Sequence, residues 1–131
     1  MYRKKITYTD YNGVERTEDF YFNFTKAELA EMELTTDGGF AEYITAITEA
    51  NDQSQIVKIF KELVLKAYGE KSPDGRRFMK SEEISNAFAQ TEAYSELFME
   101  LATNADEATK FFEAITPSVA APDKAVVSVV G

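Results

Sequence analysis

Polar and apolar side chains alternate along the start of the chain with a period of two, which is typical of β-strands. Two segments there carry their large apolar residues on one face: Ile6 and Tyr8 in the first, and Phe20, Phe22 and Phe24 in the second. The dipeptide Asn12-Gly13 lies between the two segments and favours a tight turn, because both residue types tolerate positive φ. The pattern therefore predicts an N-terminal β-hairpin over residues 3–24.

Beyond the hairpin, apolar residues recur every three or four positions, which predicts a series of amphipathic helices. Thr25 and Glu28 have the spacing of a capping box, and Phe24 and Leu29 have the spacing of a hydrophobic staple. The first helix is therefore expected to begin just after Thr25. Helices are predicted over about residues 26–34, 40–50, 53–68, 82–90, 92–102 and 105–115.

Capping residues mark the boundaries of the later helices. Ser81, Thr91 and Asn104 are predicted N-caps, since their side-chain oxygens can accept a hydrogen bond from the first helical turn. Gly69 is the expected C-terminal stop of the helix before it, and Pro117 that of the last helix. The helix that precedes Gly69 has the clearest amphipathic pattern and is expected at the centre of the core.

These elements predict an α+β fold that is mostly α, with the hairpin (3–24) packed on a bundle of about five to six short helices (26–115). Residues 1–116 are expected to form a single globular domain. Residues 117–131 are rich in small side chains and are expected to form a flexible C-terminal tail. Within this tail, the segment AVVSVV has strand propensity and is suited to extending the edge of a sheet when a partner offers one.

The composition excludes several kinds of catalytic site, because the chain contains neither histidine nor cysteine. The usual general base near neutral pH, thiolate metal sites and cysteine nucleophiles are therefore absent. Carboxylate pairs such as Glu82-Glu83 and Asp106-Glu107 fall in predicted first helical turns, where the helix dipole explains them. The sequence predicts a protein that is not an enzyme and that has no cofactor and no metal.

Neither nucleic acid nor a membrane is predicted as a partner. The net charge is −9, whereas binding to a phosphate backbone requires an electropositive surface. No apolar run approaches the roughly 20 residues that a membrane-spanning helix needs, and no apolar segment follows the basic N-terminus as a signal peptide requires. These observations predict a soluble protein of the cytoplasm.

The charge is distributed in blocks of opposite sign. Residues 1–9 carry +3, residues 10–52 carry −9, residues 53–80 carry +4 and residues 81–116 carry −7. One interpretation is that the blocks neutralise each other within the fold or face solvent. The other is charge-complementary association with a partner or between copies of the chain, which would form a homo-oligomer.

The segment SPDGRR offers two interpretations. A glycine followed by Arg76 and Arg77 is able to hold an anion such as phosphate. However, the segment lacks the glycine and lysine spacing of a P-loop, and Pro73-Asp74-Gly75 has the composition of a reverse turn. A structural turn is favoured, with the arginines solvated or bridged to the acidic stretch 82–100.

A cluster of aromatic and methionine residues follows this turn. Such residues form an ordinary core, but they also suit an adaptable surface for binding another protein. Adjacent residues on a helix point about 100° apart, so one member of Phe98-Met99 and one of Phe111-Phe112 are expected at the edge of the core. The candidate partner-binding residues are Phe78, Tyr94, Phe98 and Met99, together with Arg76 and Arg77.

Three stretches carry a resemblance to a known family: YGEKSPDGRRF, KSEEISNAF and TEAYSELFMELA. Over about residues 58–116 the chain resembles the tail assembly chaperones of long-tailed bacteriophages and prophages, the short proteins encoded after the major tail protein. The three stretches contain no catalytic signature, so the resemblance rests on general sequence similarity and not on shared catalytic residues.

The resemblance implies a non-catalytic assembly factor that acts in the host bacterial cytoplasm. It implies binding to the tape-measure protein, whose long apolar helices are kept soluble while major tail tube subunits are recruited. A longer form made by ribosomal frameshifting is also implied, and the tail after Pro117 would suit such a junction. The groove for the partner is expected between the central helix and the last three helices.

Two other classes of function remain open at this stage. The first is a structural virion component, such as a head–tail connector or tail-completion protein, whose N-terminal hairpin extends a neighbour's sheet. The second is an inhibitor of a host defence system that mimics nucleic acid. Mimicry requires carboxylates spaced along one exposed face, whereas those of this chain cluster in predicted first helical turns.

Overall fold

The computed structural model of the protein describes residues 1–50 and 53–115. Within these residues the N-terminal hairpin is followed by six helices, which confirms the predicted α+β, mostly α class. The predicted tail lies outside the described residues. The elements in chain order are β1 (Tyr2–Thr9), β2 (Glu15–Phe22), α1 (Lys26–Thr35), α2 (Phe40–Ala50), α3 (Gln53–Ala67), β3 (Tyr68–Lys71), β4 (Phe78–Met79), α4 (Glu82–Ala89), α5 (Glu92–Thr103) and α6 (Ala105–Ile115).

The first hairpin forms where the alternation and the Asn-Gly dipeptide predict it. Strands β1 and β2 pair in antiparallel register from Tyr2–Phe22 to Thr9–Glu15. The Asp10 side chain closes the turn by accepting hydrogen bonds from the backbone N–H groups of Asn12 and Val14. Gly13 has a φ of +79°, a left-handed conformation that glycine adopts without a steric penalty.

The predicted turn at Pro73-Asp74-Gly75 is present, but the sequence did not predict that strands β3 and β4 flank it and form a second hairpin. Strand β3 pairs with β2 through Tyr21–Gly69 and Phe22–Tyr68, and β4 pairs with β3, so the sheet has the order β1-β2-β3-β4. Gly69 is therefore a strand residue and not a helix cap. A Cβ atom at this position would lie 2.6 Å from Cε2 of Phe78, so the absence of a side chain allows the ring to cover the strand.

Local capping determines where the helices begin, as predicted. The Thr25 hydroxyl accepts a hydrogen bond from the Glu28 N–H, and the Glu28 carboxylate accepts one from the Thr25 N–H. Ser81, Thr91 and Asn104 each accept a hydrogen bond from an N–H in the first turn of α4, α5 and α6, respectively. Each cap provides a partner for an N–H group that the helix itself leaves unpaired.

The core lies between the sheet and the helices that pack on one of its faces. Helix α5 packs along β1, and α6 contacts the same strand. The predicted apolar face of β2 is confirmed, since Phe22 and Phe24 are buried and Phe20 is half-buried. The fully buried side chains with the largest volumes are Phe22, Phe111, Leu97, Ile115 and Val64.

Aromatic rings connect the two hairpins to the helices. The ring of Phe22 contacts those of Tyr68, Phe88 and Phe111, with centroids 5.6, 5.8 and 5.2 Å away. Tyr68 of β3 stacks on Phe88 of α4, with centroids 4.1 Å apart and an interplanar angle of 12°. Burial raises the pKa of Tyr68 to about 12, so its hydroxyl is neutral at physiological pH.

Helices α1, α2 and α3 pack in sequence, with α2 contacting both of the others. An ion pair between Glu28 of α1 and Lys80, which follows β4, joins this group to the second hairpin at 2.8 Å. The Lys80 Nζ atom also lies 4.7 Å from the centre of the Phe24 ring, a cation–π geometry. In the part of α2 whose side chains the structure describes, Phe40 is half-buried and Tyr43 is exposed.

Candidate partner-binding surfaces

The loop between β3 and β4 is closed by its own side chains and leaves few N–H groups for an anion. The Gly75 N–H donates to the Ser72 carbonyl at 2.9 Å, the Arg76 N–H to Asp74 Oδ1 at 3.0 Å, and the Arg77 N–H to Ser72 Oγ at 3.0 Å. Hydrogen bonds from Ser72 and Arg76 lower the pKa of the Asp74 carboxyl. The geometry is that of a structural turn, as the sequence favoured.

Both arginines of this loop are exposed on the second hairpin. The Arg77 guanidinium contacts the sulfur of Met79 at 3.8 Å. Among the described residues, neither guanidinium forms an ion pair with a carboxylate, so no bridge to the acidic stretch 82–100 is present there.

Helix α5 presents Tyr94 and Phe98 on one stripe, because residues four apart lie on the same side of a helix. The two rings lie 6.0 Å apart, and Phe98 meets the edge of Phe60 from α3 at 5.9 Å. Phe60 in turn contacts Phe112 of α6 at 5.3 Å. We refer to these four half-buried residues, Phe60, Tyr94, Phe98 and Phe112, as the aromatic surface.

The aromatic surface lies between α3 and the helices α5 and α6. The expectation that one residue of each adjacent pair lies at the edge of the core is confirmed. Phe111 is fully buried while Phe112 is only half-buried, and Met99 is 56% exposed while Phe98 is half-buried. The candidate residues predicted from sequence did not include Phe60, because which side of α3 faces α5 depends on tertiary packing.

Phe78 lies on the opposite face of the sheet from the aromatic surface. Tyr68 of β3 points into the core, and strand alternation directs Gly69 and Lys71 to the other face. Phe78 pairs with Lys71 and therefore shares that outer face, where its ring lies against Gly69. The structure thus brings Tyr94 and Phe98 together but separates both from Phe78.

A second surface, which the sequence did not indicate and whose lining is part apolar and part polar, lies between α1, α2 and α3. It forms a cavity of about 220 Å³. Leu34 of α1 is 78% exposed nearby, and Tyr43 of the lining is 40% exposed. We refer to this cavity as the helical cleft, and its apolar lining consists of Met32, Phe40, Tyr43, Ile59 and Leu63.

Helix α3 lies between the two surfaces. Ile59 faces the helical cleft, and its neighbour Phe60 belongs to the aromatic surface. In the region covered by residues 1–50 and 53–115, no group of three or more acidic side chains is arranged to hold a metal ion. In that same region, no helix is both long enough and apolar enough to cross a membrane.

Comparison with known proteins identifies the family. No curated protein and no solved structure matches the chain. The family model described as phage tail assembly chaperone matches residues 1–122 of the 131 residues. This match includes the N-terminal hairpin and both surfaces around α3, and so extends well beyond the stretches that carry the sequence resemblance. The chain therefore belongs to the phage tail assembly chaperone family.

Proposed function

We propose that the protein binds the tape-measure protein, keeps its apolar helices soluble and helps recruit tail-tube subunits in the host bacterial cytoplasm. The observation that carries this proposal is the aromatic surface on one side of α3 and the partly apolar helical cleft on the other, in a chain of net charge −9. The protein acts by binding alone and without a cofactor. Its partners are the tape-measure protein and the major tail tube protein.

The physical requirements of such a chaperone agree with these features. An apolar helix that lacks its final partners aggregates unless another protein covers its apolar face, and a groove between helices is a common way of doing this. Aromatic and methionine side chains adapt to different helix sequences because they offer large contact areas and, for methionine, flexible geometry. A large negative charge keeps the resulting complex soluble.

The test is co-expression with the tape-measure protein from the same gene cluster, followed by pull-down and a solubility assay. Met99→Asp tests the rim of the aromatic surface, and Tyr43→Asp tests the helical cleft; both side chains are substantially exposed, at 56% and 40%. Tyr11→Asp is the matched control, because Tyr11 is 76% exposed at the turn of the first hairpin, outside both surfaces.

The expected result is a soluble complex that the Tyr11 variant retains and at least one of the other two variants weakens tenfold or more. Phe98→Asp is a stronger disruption, but its ring contacts Phe60 and Tyr94, so circular dichroism must show that this variant is folded. If the tape-measure protein stays insoluble and does not copurify with the wild-type chain, the chaperone proposal is wrong.

A structural virion component is the second candidate, and the position of β1 favours it. This strand lies at one edge of the sheet, so a neighbour's strand is able to pair with it. Mass spectrometry of purified phage particles separates the two candidates. A virion component remains in finished particles at a fixed stoichiometry, whereas a chaperone is absent from them.

A further inference from the structure

The face of the sheet that points away from the helices carries both cations and an aromatic ring. Ile6 and Phe22 point into the core, and the side chains of a strand alternate between the two faces. Arg3 and Lys5 of β1 and Tyr21 of β2 therefore point outward. Both cations are exposed and the tyrosine is half-buried. Two different kinds of side chain, cationic and aromatic, thus share this outer face.

The second hairpin extends the same face. The Lys71 ammonium lies over the Tyr21 ring, 4.5 Å from its centre. Phe78 is half-buried, and its ring lies against Gly69, which pairs with Tyr21 in the sheet. The Phe78 ring therefore covers the strand position beside Tyr21. We define the outer sheet surface by its exposed cations and half-buried rings: Arg3, Lys5, Tyr21, Lys71 and Phe78.

The outer sheet surface has a charge opposite to that of the whole chain, which is −9. Its three cations make no ion pair with any carboxylate among the described residues. Two carboxylates also point outward from β2: Asp19, which pairs with Lys5, and Glu15, which lies beside the first turn. The positive charge is therefore concentrated around Tyr21, and this part of the face is complementary to an anion.

We propose that the outer sheet surface binds an acidic segment of another protein, in which an apolar side chain lies between two carboxylates. The apolar side chain contacts the rings of Tyr21 and Phe78, and the carboxylates pair with the exposed cations around them. This inference does not rest on the proposed function, because the outer sheet surface lies on the opposite side of the sheet from the aromatic surface.

A nucleic acid fits this surface less well than an acidic protein segment does. Lys71 lies over the ring of Tyr21, so a base does not have that ring face open for stacking. A nucleic acid also carries a negative charge at every phosphate, and Asp19 on the same face repels it. A protein segment is able to place its carboxylates beside the cations and an uncharged side chain beside Asp19.

An NMR titration of the full chain with the synthetic peptide acetyl-Ser-Glu-Ser-Leu-Ser-Glu-Ser-amide tests this proposal. In an extended peptide the two glutamates and the leucine share one face. We expect saturable shifts of the amide signals of the outer sheet surface, which become smaller as salt is added. The variant Arg3→Glu/Lys71→Glu should bind at least tenfold more weakly, because both pairings become repulsive.

The matched control is Lys58→Glu/Lys61→Glu, which makes the same change in net charge at two exposed lysines of α3 and should leave binding unchanged. The dispersion of the same spectra shows whether each variant is folded. The proposal would be overturned if the wild-type chain showed no saturable shifts, if the shifts lay elsewhere, or if the two variants bound alike. Tighter binding of a thymidine oligonucleotide of equal charge would show that the assignment to a protein partner is wrong.

Discussion

Helices α5 and α2 have similar lengths and both are rich in apolar residues, yet they are packed very differently. Helix α5 lies along β1 and buries Ala93, Leu97 and Leu101. Helix α2 contacts α1 and α3, and none of its described side chains is buried, with Tyr43 40% exposed. For the described side chains, an apolar pattern therefore predicts a helix in both cases but does not by itself predict how deeply each side chain is buried.

The difference distinguishes apolar residues that stabilise the fold from those that are available to a partner. A side chain enclosed on the sheet contributes its full transfer free energy to folding. A side chain on α2 that remains in water contributes little to folding but gains that free energy when a partner covers it. Truncation of a buried side chain on α5 should therefore lower the free energy of unfolding much more than truncation of an exposed side chain on α2.

Leu97→Ala should produce the largest effect. Leu97 is only 1% exposed, so its truncation leaves a cavity in the core and should lower the free energy of unfolding by about 2–5 kcal/mol. Urea denaturation measures this loss, and Glu96→Ala, one residue earlier on the exposed side of α5, is the control. A loss below about 1 kcal/mol would mean that α5 is packed no better than α2.

Gly69→Ala should destabilise the sheet that supports α5. The new Cβ would lie 2.6 Å from the Phe78 ring and 2.9 Å from the Met79 carbonyl oxygen, so the second hairpin must shift. We expect a loss of about 1–3 kcal/mol in the free energy of unfolding. Glu70→Ala, at the exposed neighbouring position, should change it little; equal effects of the two substitutions would contradict the close approach at Gly69.

Lys80→Met should weaken the connection between α1 and the second hairpin. Although partial burial raises the pKa of Glu28, hydrogen bonds from Lys80 and Thr25 outweigh it and lower this pKa below its usual 4.5. Because the pair is partly exposed, its contribution is about 0.2–1 kcal/mol after solvent screening. The measurement is thermal unfolding as a function of pH, with Lys61→Met, an exposed lysine on α3, as the control.

The direction of this pH dependence follows from the lowered pKa of Glu28. A carboxylate with a lowered pKa in the folded state stabilises the protein above the unfolded-state pKa, and it loses that effect as the pH falls through the folded-state pKa. The difference between wild type and Lys80→Met should therefore be constant above about pH 5 and should shrink below pH 4.5. A difference that grows on acidification would contradict this pairing.

Tyr43→Ala should have the smallest effect on folding. Its side chain lines the helical cleft and is substantially exposed, so the free energy of unfolding should change by less than about 0.5 kcal/mol. The same urea experiment used for Leu97→Ala makes the comparison direct. A loss approaching that of Leu97→Ala would show that α2 is enclosed in solution, and the helical cleft would then be unavailable to a partner.

Much of the fold could be predicted from sequence because its signals are local. The capping box of Thr25 and Glu28 and the caps at Ser81 and Thr91 involve residues only three positions apart. The first hairpin is similarly local, with its strands joined by a short turn that contains Gly13. Signals of this kind depend little on the rest of the chain.

The second hairpin could not be predicted because its pairing is distant in sequence. Gly69 is a strand residue only because it pairs with Tyr21, 48 positions earlier, and β4 has just two residues. The candidate site also has one part that could be predicted from local sequence and one part that could not. The neighbouring positions of Tyr94 and Phe98 follow from helical spacing, but the contribution of Phe60 and the separation of Phe78 depend on tertiary packing and strand register.

The contact between Phe22 and Phe111 has a consequence for synthesis on the ribosome. These rings meet in the centre of the core although they are 89 residues apart in the chain. At translation rates of about 5–20 residues per second, roughly 4–18 s pass between the synthesis of the two residues. During this interval Phe111 cannot cover Phe22, although Tyr68 and Phe88, which are synthesised earlier, are available to pack against it.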